Sequence, residues 1–174
     1  MRIQKRRFGL WLLCLAVCAA FAVACVDGGL PDNSGGATVT LTVLDADGTS
    51  LYEKELTTQK TVLYDAFNEF PELQVGATSG FLGAFVQFVA IGEIVESENT
   101  FGSFSYFDEK KRIEGNDADS LFIAVYHNID DEKWKGYFSP DLTHNEKTYF
   151  SSGVGVSLLP LIDGSSYILK LSSY

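Results

Sequence analysis

Only one stretch of this chain carries helical spacing, and it is ten residues long. Thr61 is placed to cap it, Val62, Leu63, Ala66, Phe67 and Phe70 fall on one face, and Pro71 stops it. Asp65, Asn68 and Glu69 face away. A helix that short is marginal alone in water, so it must lie on something, and the surrounding sequence offers a sheet. Elsewhere the period is two. In Thr38-Val39-Thr40-Leu41-Thr42-Val43-Leu44, aliphatic residues alternate with threonine, the mark of a strand with one face buried. Asp45-Ala46-Asp47-Gly48 supplies turn chemistry, and residues 51–56 return as a more polar strand, which predicts an antiparallel hairpin. Residues 85–95 are apolar on both faces, as a central strand is. Residues 101–107 alternate aromatic with small residues, 108–119 read as a charged loop, and 121–126 form a short buried strand. Asp163-Gly164 turns into a last strand over 167–171. Phe67, Phe85, Phe88 and Phe122 are the expected core aromatics. The order of these pieces predicts an α+β fold, a β-grasp-like mixed sheet with a single packed helix at about residues 61–70.

The first 24 residues stand apart from that domain. Arg2, Lys5, Arg6 and Arg7 precede an apolar run over 8–23, which ends at Ala22-Val23-Ala24-Cys25. This is the layout of a secretion signal. A cysteine directly after small residues is what a bacterial lipoprotein signal needs, because its thiol takes the diacylglycerol before cleavage. The expectation is lipidation at Cys25, attachment to the membrane through that lipid, and an extracytoplasmic place at the bacterial cell surface. Two other readings stay open. Ordinary signal peptidase would release a soluble protein with a free N-terminal cysteine. An uncleaved anchor would need about 20 apolar residues, and this run has 16. Residues 25–37 then read as the lipidated cysteine and a flexible tether, and 38–174 as one folded domain.

Cys14 and Cys18 leave with the signal, so Cys25 alone remains of the three cysteines. No disulfide can form within the mature domain, which must be held by its core, and thiolate zinc sites and cysteine nucleophiles are excluded. The signal also takes four of the thirteen basic residues and none of the 23 acidic ones, leaving a net charge of −14. Nucleic acid is excluded as a partner, because phosphate binding needs a positive surface. A basic surface that seeks lipid headgroups is disfavoured for the same reason. His127 and His144 are the only histidines, and no serine sits in a Gly-x-Ser-x-Gly elbow. His-x-x-x-His and Glu-x-x-His pairs are missing. Asp117, Asp119, Asp130 and Asp131 stand in turn-rich sequence, where carboxylates are usually just solvated. Asp45-Ala46-Asp47-Gly48 is similar to the opening of a calcium loop, but no glutamate falls twelfth. The expectation is a protein that is not an enzyme, with no cofactor, no metal and no catalytic residue.

Trp134, Tyr137 and Phe138 lie in a polar, Lys- and Asp-containing stretch without alternation. Aromatics in such a loop either stack on a ligand or fold back as a lid on the domain's own core.

Several short segments resemble a known family in their joint order. They are Lys60-Thr61-Val62-Leu63-Tyr64-Asp65-Ala66-Phe67, Ser79-Gly80-Phe81-Leu82-Gly83-Ala84-Phe85-Val86, Ala124-Val125-Tyr126-His127-Asn128, and Ser152-Gly153-Val154-Gly155-Val156 with Leu161-Ile162-Asp163-Gly164 and Tyr167-Ile168-Leu169-Lys170-Leu171. Together they resemble the transcobalamin-like C-terminal domain family of bacterial surface proteins. Two departures are visible, since Phe122 stands near the family's tryptophan and no glycine follows Asn128. The resemblance implies a β-grasp-like domain that binds rather than catalyses. In vertebrate cobalamin carriers the corresponding domain closes over a corrinoid with a helical partner, and no helical-repeat pattern occurs here. The functional expectation is therefore a lipid-anchored extracytoplasmic binding module for a small ligand such as a corrinoid. Trp134, Tyr137, Phe138, Phe81 and Asn128 are its expected ligand contacts. The alternative is a domain that docks onto another cell-envelope protein without a small ligand.

Overall fold

A computed structural model describes residues 29–174, apart from Phe101, Phe138, Tyr174 and the side chain of Asn99. The signal segment and Cys25 lie outside the described residues. Residues Pro31–Tyr174 form one compact unit.

Among the described residues nine strands build it. They are β1 (Ala37–Leu44), β2 (Ser50–Thr58), β3 (Leu73–Gly80), β4 (Gly83–Asn99), β5 (Gly102–Glu114), β6 (Leu121–His127), β7 (Leu142–His144), β8 (Lys147–Ser151) and β9 (Ser166–Ser173). Six of them form one sheet in the order β2-β1-β9-β6-β8-β7, in which only the β1–β9 pair is parallel. The other three form an antiparallel sheet, β3-β4-β5. Alternation explains β1: Val39, Leu41 and Val43 point into the core while Thr38 and Thr40 face outward.

The α+β, β-grasp expectation is overturned. Of the described residues 58% are in strands and 7% in helix, and two sheets are present. The expected helix over 61–70 shrinks to α1 (Leu63–Ala66) and one 3-10 turn, Phe67–Glu69. Val62 is extended, at φ −129° and ψ 151°, and bridges Pro160. Thr61 does not cap: the N-cap position falls on Val62 with no side-chain cap bond, and the Thr61 carbonyl accepts the Leu161 N–H at 2.9 Å. The free N–H groups of Leu63 and Tyr64 donate instead to the carbonyls of Leu159 (3.0 Å) and Val156 (3.1 Å). A neighbouring loop thus does the work of a cap, and it holds the entry to the helix in strand-like geometry. The apolar spacing still foretold burial, because Val62, Leu63, Ala66, Phe67 and Phe70 are all buried.

The main core lies between the two sheets and the short helix. It joins Val39, Leu41, Val43, Tyr167 and Leu169 of the six-stranded sheet to Val86, Val89 and Ile113 of the other, with Phe67 and Phe70 between. A smaller cluster of Leu44, Ala124, Tyr126, Tyr149 and Ile168 sits apart from it. Three expected core aromatics are not in the main core: Phe85 is exposed, Phe88 lies half-exposed under the Arg112 guanidinium at 4.1 Å, and Phe122 is half-buried against the smaller cluster.

Two features shape the exposed surfaces of the three-stranded sheet. Strand β3 ends its pairing at Leu73 opposite Ile91, so from Gly92 to Asn99 strand β4 pairs with β5 alone. The ladder shifts register between Ile91 and Gly92. A Cβ on Gly92 would stand 2.2 Å from the Asp108 carbonyl oxygen, so only glycine fits where this two-stranded arm leaves the sheet. The second feature is the β3–β4 turn, which is docked onto residues 155–158 by the Gly155 N–H to Leu82 carbonyl bond at 2.6 Å.

Candidate functional site

The loop that follows β6 carries four of the five expected ligand contacts, Asn128, Trp134, Tyr137 and Phe138, and His127 fixes its start. His127 is fully buried. Its Nε2 lies 3.0 Å from the Trp134 carbonyl oxygen and its Nδ1 accepts the Ile129 N–H at 3.2 Å. That pattern selects the neutral ring with the proton on Nε2. Burial, first of all, pulls its pKa below the ordinary 6.5. The unfolded chain therefore takes up this proton first as pH falls. The group's contribution to stability is complete above pH 6.5 and is lost as pH drops through 6.5 toward the lower folded value. The urea midpoint of the domain is expected to fall between pH 7.5 and pH 5, and His127→Gln to flatten that slope. Unfolding followed by Trp134 emission at several pH values checks it.

Within the loop, Trp134 is half-buried and packs against the main core, with Lys133 Nζ 5.0 Å from its ring centre. Lys135 bonds Asp130 at 2.7 Å and Glu132 at 2.8 Å and lies 3.9 Å over the Phe150 ring. Its two carboxylate partners raise its pKa and leave no free cation for a ligand. Asp131 accepts the Lys133 N–H, so the Asp130-Asp131 pair is spent on the loop itself. A shallow cleft of about 530 Å³ opens beside this network, lined by Glu132, Lys135, Tyr137, Asp141 and Phe150 among others. Tyr137 stands 94% exposed at its rim, and Trp134 does not line it. Phe138 lies outside the described residues. Asn128 uses its side-chain oxygen to accept the Ser166 N–H at 2.8 Å, which ties the loop to β9. Phe81 is on the other sheet, fully exposed at the apex of the β3–β4 turn. These expected contacts are thus divided among a core lid, a cleft rim, a strand clasp and a separate turn.

The Asp45–Gly48 turn is also self-contained. Asp45 accepts the N–H groups of Asp47 and Thr49, and Asp47 accepts that of Thr49 at 2.8 Å. Among the described residues no group of three or more His, Cys, Asp or Glu side chains could hold a metal ion.

The arm beyond Gly92 offers a different kind of surface. Direct pairing places Val95 opposite Tyr106 and Ser97 opposite Phe104, all on one face. Phe104 and Tyr106 are about half exposed, with ring centres 6.2 Å apart. The other face carries Ile94, Glu96 and Glu98, with Ser103 bonded to Glu98 at 3.3 Å. Strand β5 is an edge of its sheet. Its proximal half, Asp108-Glu109-Lys110-Lys111-Arg112, is fully charged, the usual guard against stray strand pairing. Its distal half, Gly102-Ser103-Phe104-Ser105-Tyr106-Phe107, has no charge at all. Sequence reading saw the aromatic alternation over 101–107. It missed that no core lies beneath it, because alternation reports a two-faced strand and not what covers either face.

No protein-family model matches the chain, and no curated protein matches it. A crystal structure from Ruminococcus gnavus ATCC 29149, described as "a putative metal binding protein", is similar at 15% identity and a TM-score of 0.48. The match covers 79% of this chain and 98% of that one. Likeness at that level carries no argument about chemistry here. No helix among the described residues is long and apolar enough to cross a membrane.

Proposed function

We propose that this chain is a non-enzymatic, lipid-anchored docking module of the bacterial cell surface, whose β4–β5 arm accepts an extended segment of another envelope protein as an added strand. The observation that carries this reading is the uncharged distal edge of β5, beside the exposed Phe104 and Tyr106 rings. Strand addition takes affinity from main-chain hydrogen bonds and specificity from alternate side chains, and this edge offers both. Glu96 and Glu98 on the flanking face favour a segment that carries basic residues among apolar ones. The signal layout ending at Cys25 supports the lipid anchor and the extracytoplasmic place. A corrinoid or other small ligand would need Trp134, Tyr137, Phe81 and Asn128 to act together, whereas Trp134 packs on the core, Asn128 bonds Ser166, Tyr137 stands at a cleft rim and Phe81 is exposed on the β3–β4 turn.

The test is a photo-crosslinking residue at Phe104 in the full chain on intact cells, with the exposed Lys147 at the start of β8 as control. One envelope protein is expected to cross-link at Phe104 and not at Lys147. The joined peptide should map to residues 102–107, and Tyr106→Lys should reduce the adduct at least ten-fold. No adduct, or one indifferent to Tyr106→Lys, overturns the docking reading. Saturable quenching of Trp134 emission by cobalamin, matched by equilibrium dialysis, would place the protein among small-ligand binders instead.

A further inference from the structure

The β3–β4 turn has an apex that hairpins seldom have. Two-residue turns favour Asn, Asp and Gly, which tolerate the geometry and the water. Here Gly80 and Gly83 are the paired residues and Phe81-Leu82 occupy the two central positions. Phe81 is 100% exposed, and Leu82, Phe85 and Leu158 are exposed around it. Leu158 packs over Gly83, 3.1 Å from where a Cβ would stand, and the Phe85 ring covers Gly80. The loop is clamped to the turn, because Ala84 N–H donates to Ser157 Oγ at 2.8 Å and Val156 N–H to the Ala84 carbonyl at 2.8 Å. Single exposed apolar residues are ordinary, but a clamped cluster at a hairpin apex marks a contact surface.

Charge and chain entry say what covers it. The chain has 13 basic and 23 acidic residues, yet none falls between Gln74 and Gly92 or between Thr148 and Ile162. Those two segments build the turn, its flanks and the clamping loop. A strongly acidic protein can bring such an uncharged surface to an anionic bilayer with less repulsion than its carboxylate-bearing faces would meet. The chain also enters the domain here. Asn33 is buried, and its side-chain amide donates to the Leu161 carbonyl at 3.0 Å and to the Lys60 carbonyl at 2.6 Å. Leu161 is three residues from Leu158, at most about 10 Å along the chain. Seven residues lie between Cys25 and Asn33, and the eight steps of chain that join the two span at most about 28 Å. A lipid on Cys25 would therefore hold this end of the domain within reach of the membrane surface.

We propose that Phe81, Leu82, Phe85 and Leu158 insert into the interfacial layer of a phospholipid bilayer, as a second membrane contact that orients the anchored domain. The inference rests on the lipid-anchored reading above. Its test supplies the anchor chemically, so that the two can fail separately. The mature chain from Cys25 is coupled through that sole thiol to a maleimide lipid in phosphatidylcholine vesicles. Phe81→Trp is compared with Tyr137→Trp, both after subtraction of the Trp134 signal. The Phe81→Trp emission should shift to the blue and be quenched at least two-fold by lipids brominated near the headgroup, while the Tyr137→Trp signal stays unchanged. No quenching at position 81 overturns the proposal, and so does equal quenching at both positions, which would mean that the domain lies on the surface without a preferred face. A blue shift at position 81 that appears only after an envelope protein is added, without bromolipid quenching, would assign the patch to that protein and overturn the proposal as well. Mass analysis of Cys25 from native membranes separately decides the anchor: an unmodified cysteine removes the lipid-anchored reading and leaves the vesicle result to be judged alone.

Discussion

Tyr167→Ala is expected to leave the domain close to unfolded at room temperature. Tyr167 is fully buried in β9, at the meeting of the helix, the main core and residues 156–162. Its hydroxyl donates to the Pro160 carbonyl at 2.6 Å and accepts the Ile162 N–H at 3.1 Å. Burial pushes the phenol up to about 12, so it remains a neutral donor across all ordinary conditions. Emptying a large aromatic site costs about 3–5 kcal/mol, and leaving two backbone groups unpaired adds roughly 1–3 kcal/mol. Against a total stability of about 5–15 kcal/mol, that sum is most of what a domain without disulfides has. Tyr167→Phe separates the two contributions, since it keeps the ring and loses only the hydrogen bonds. Its expected loss is about 1–3 kcal/mol. Urea unfolding read by Trp134 emission measures both. Equal midpoints for Tyr167→Phe and the parent would show that the hydroxyl contributes nothing.

How much of this was legible in the sequence depends on what each element rests on. Strand β1 buries Val39, Leu41 and Val43 on one face and leaves Thr38 and Thr40 partly exposed on the other, so its alternation gave it away, although Thr42 and Leu44 on that second face are buried too. The turn residues Asp45–Gly48 gave away the hairpin with β2. The helix was legible as a buried apolar face but not in its length, because a distant segment, residues 156–161, decides where the helix begins. Charge misled at residues 108–114. Aspartate, lysine and arginine in series read as a loop, yet they form an edge strand, where exposed charges are tolerated and pairing is needed on one side only. Strands β7 and β8 are three and five residues long, too short for any period to register. For the candidate surfaces the lesson is similar. The sequence could mark Trp134 and Tyr137 as aromatics in a polar loop, and Phe81 only through the family resemblance. It could not show that Trp134 is a lid on the core while Phe81 faces water, because that difference lies in long-range packing.

Gly155→Ala is the second substitution expected to do large damage, and it bears on function as well as stability. A Cβ there would lie 2.5 Å from the Ala84 carbonyl oxygen, 2.6 Å from the Gly83 carbonyl carbon and 2.7 Å from the Ala84 nitrogen. All three are backbone atoms, so no side-chain rotation relieves the clash. Either the β3–β4 turn or the 153–158 loop has to move, and with it go the Gly155–Leu82 and Val156–Ala84 hydrogen bonds. Overpacking costs about 1–3 kcal/mol, and two strained or broken backbone bonds add roughly 1–3 kcal/mol. Gly35→Ala is the matched control, since nothing lies within 4 Å of its added Cβ. It is expected to change stability by less than about 1 kcal/mol. Because Leu158 is carried on the same loop, Gly155→Ala also separates it from Phe81. If those residues form one membrane-contacting patch, the surviving folded fraction of Gly155→Ala coupled to vesicles should lose part of the bromolipid quenching seen with Phe81→Trp. An unchanged urea midpoint would mean that the turn and loop are not pressed together as the backbone contacts require. The clamp would then be no basis for reading the apex as a built surface.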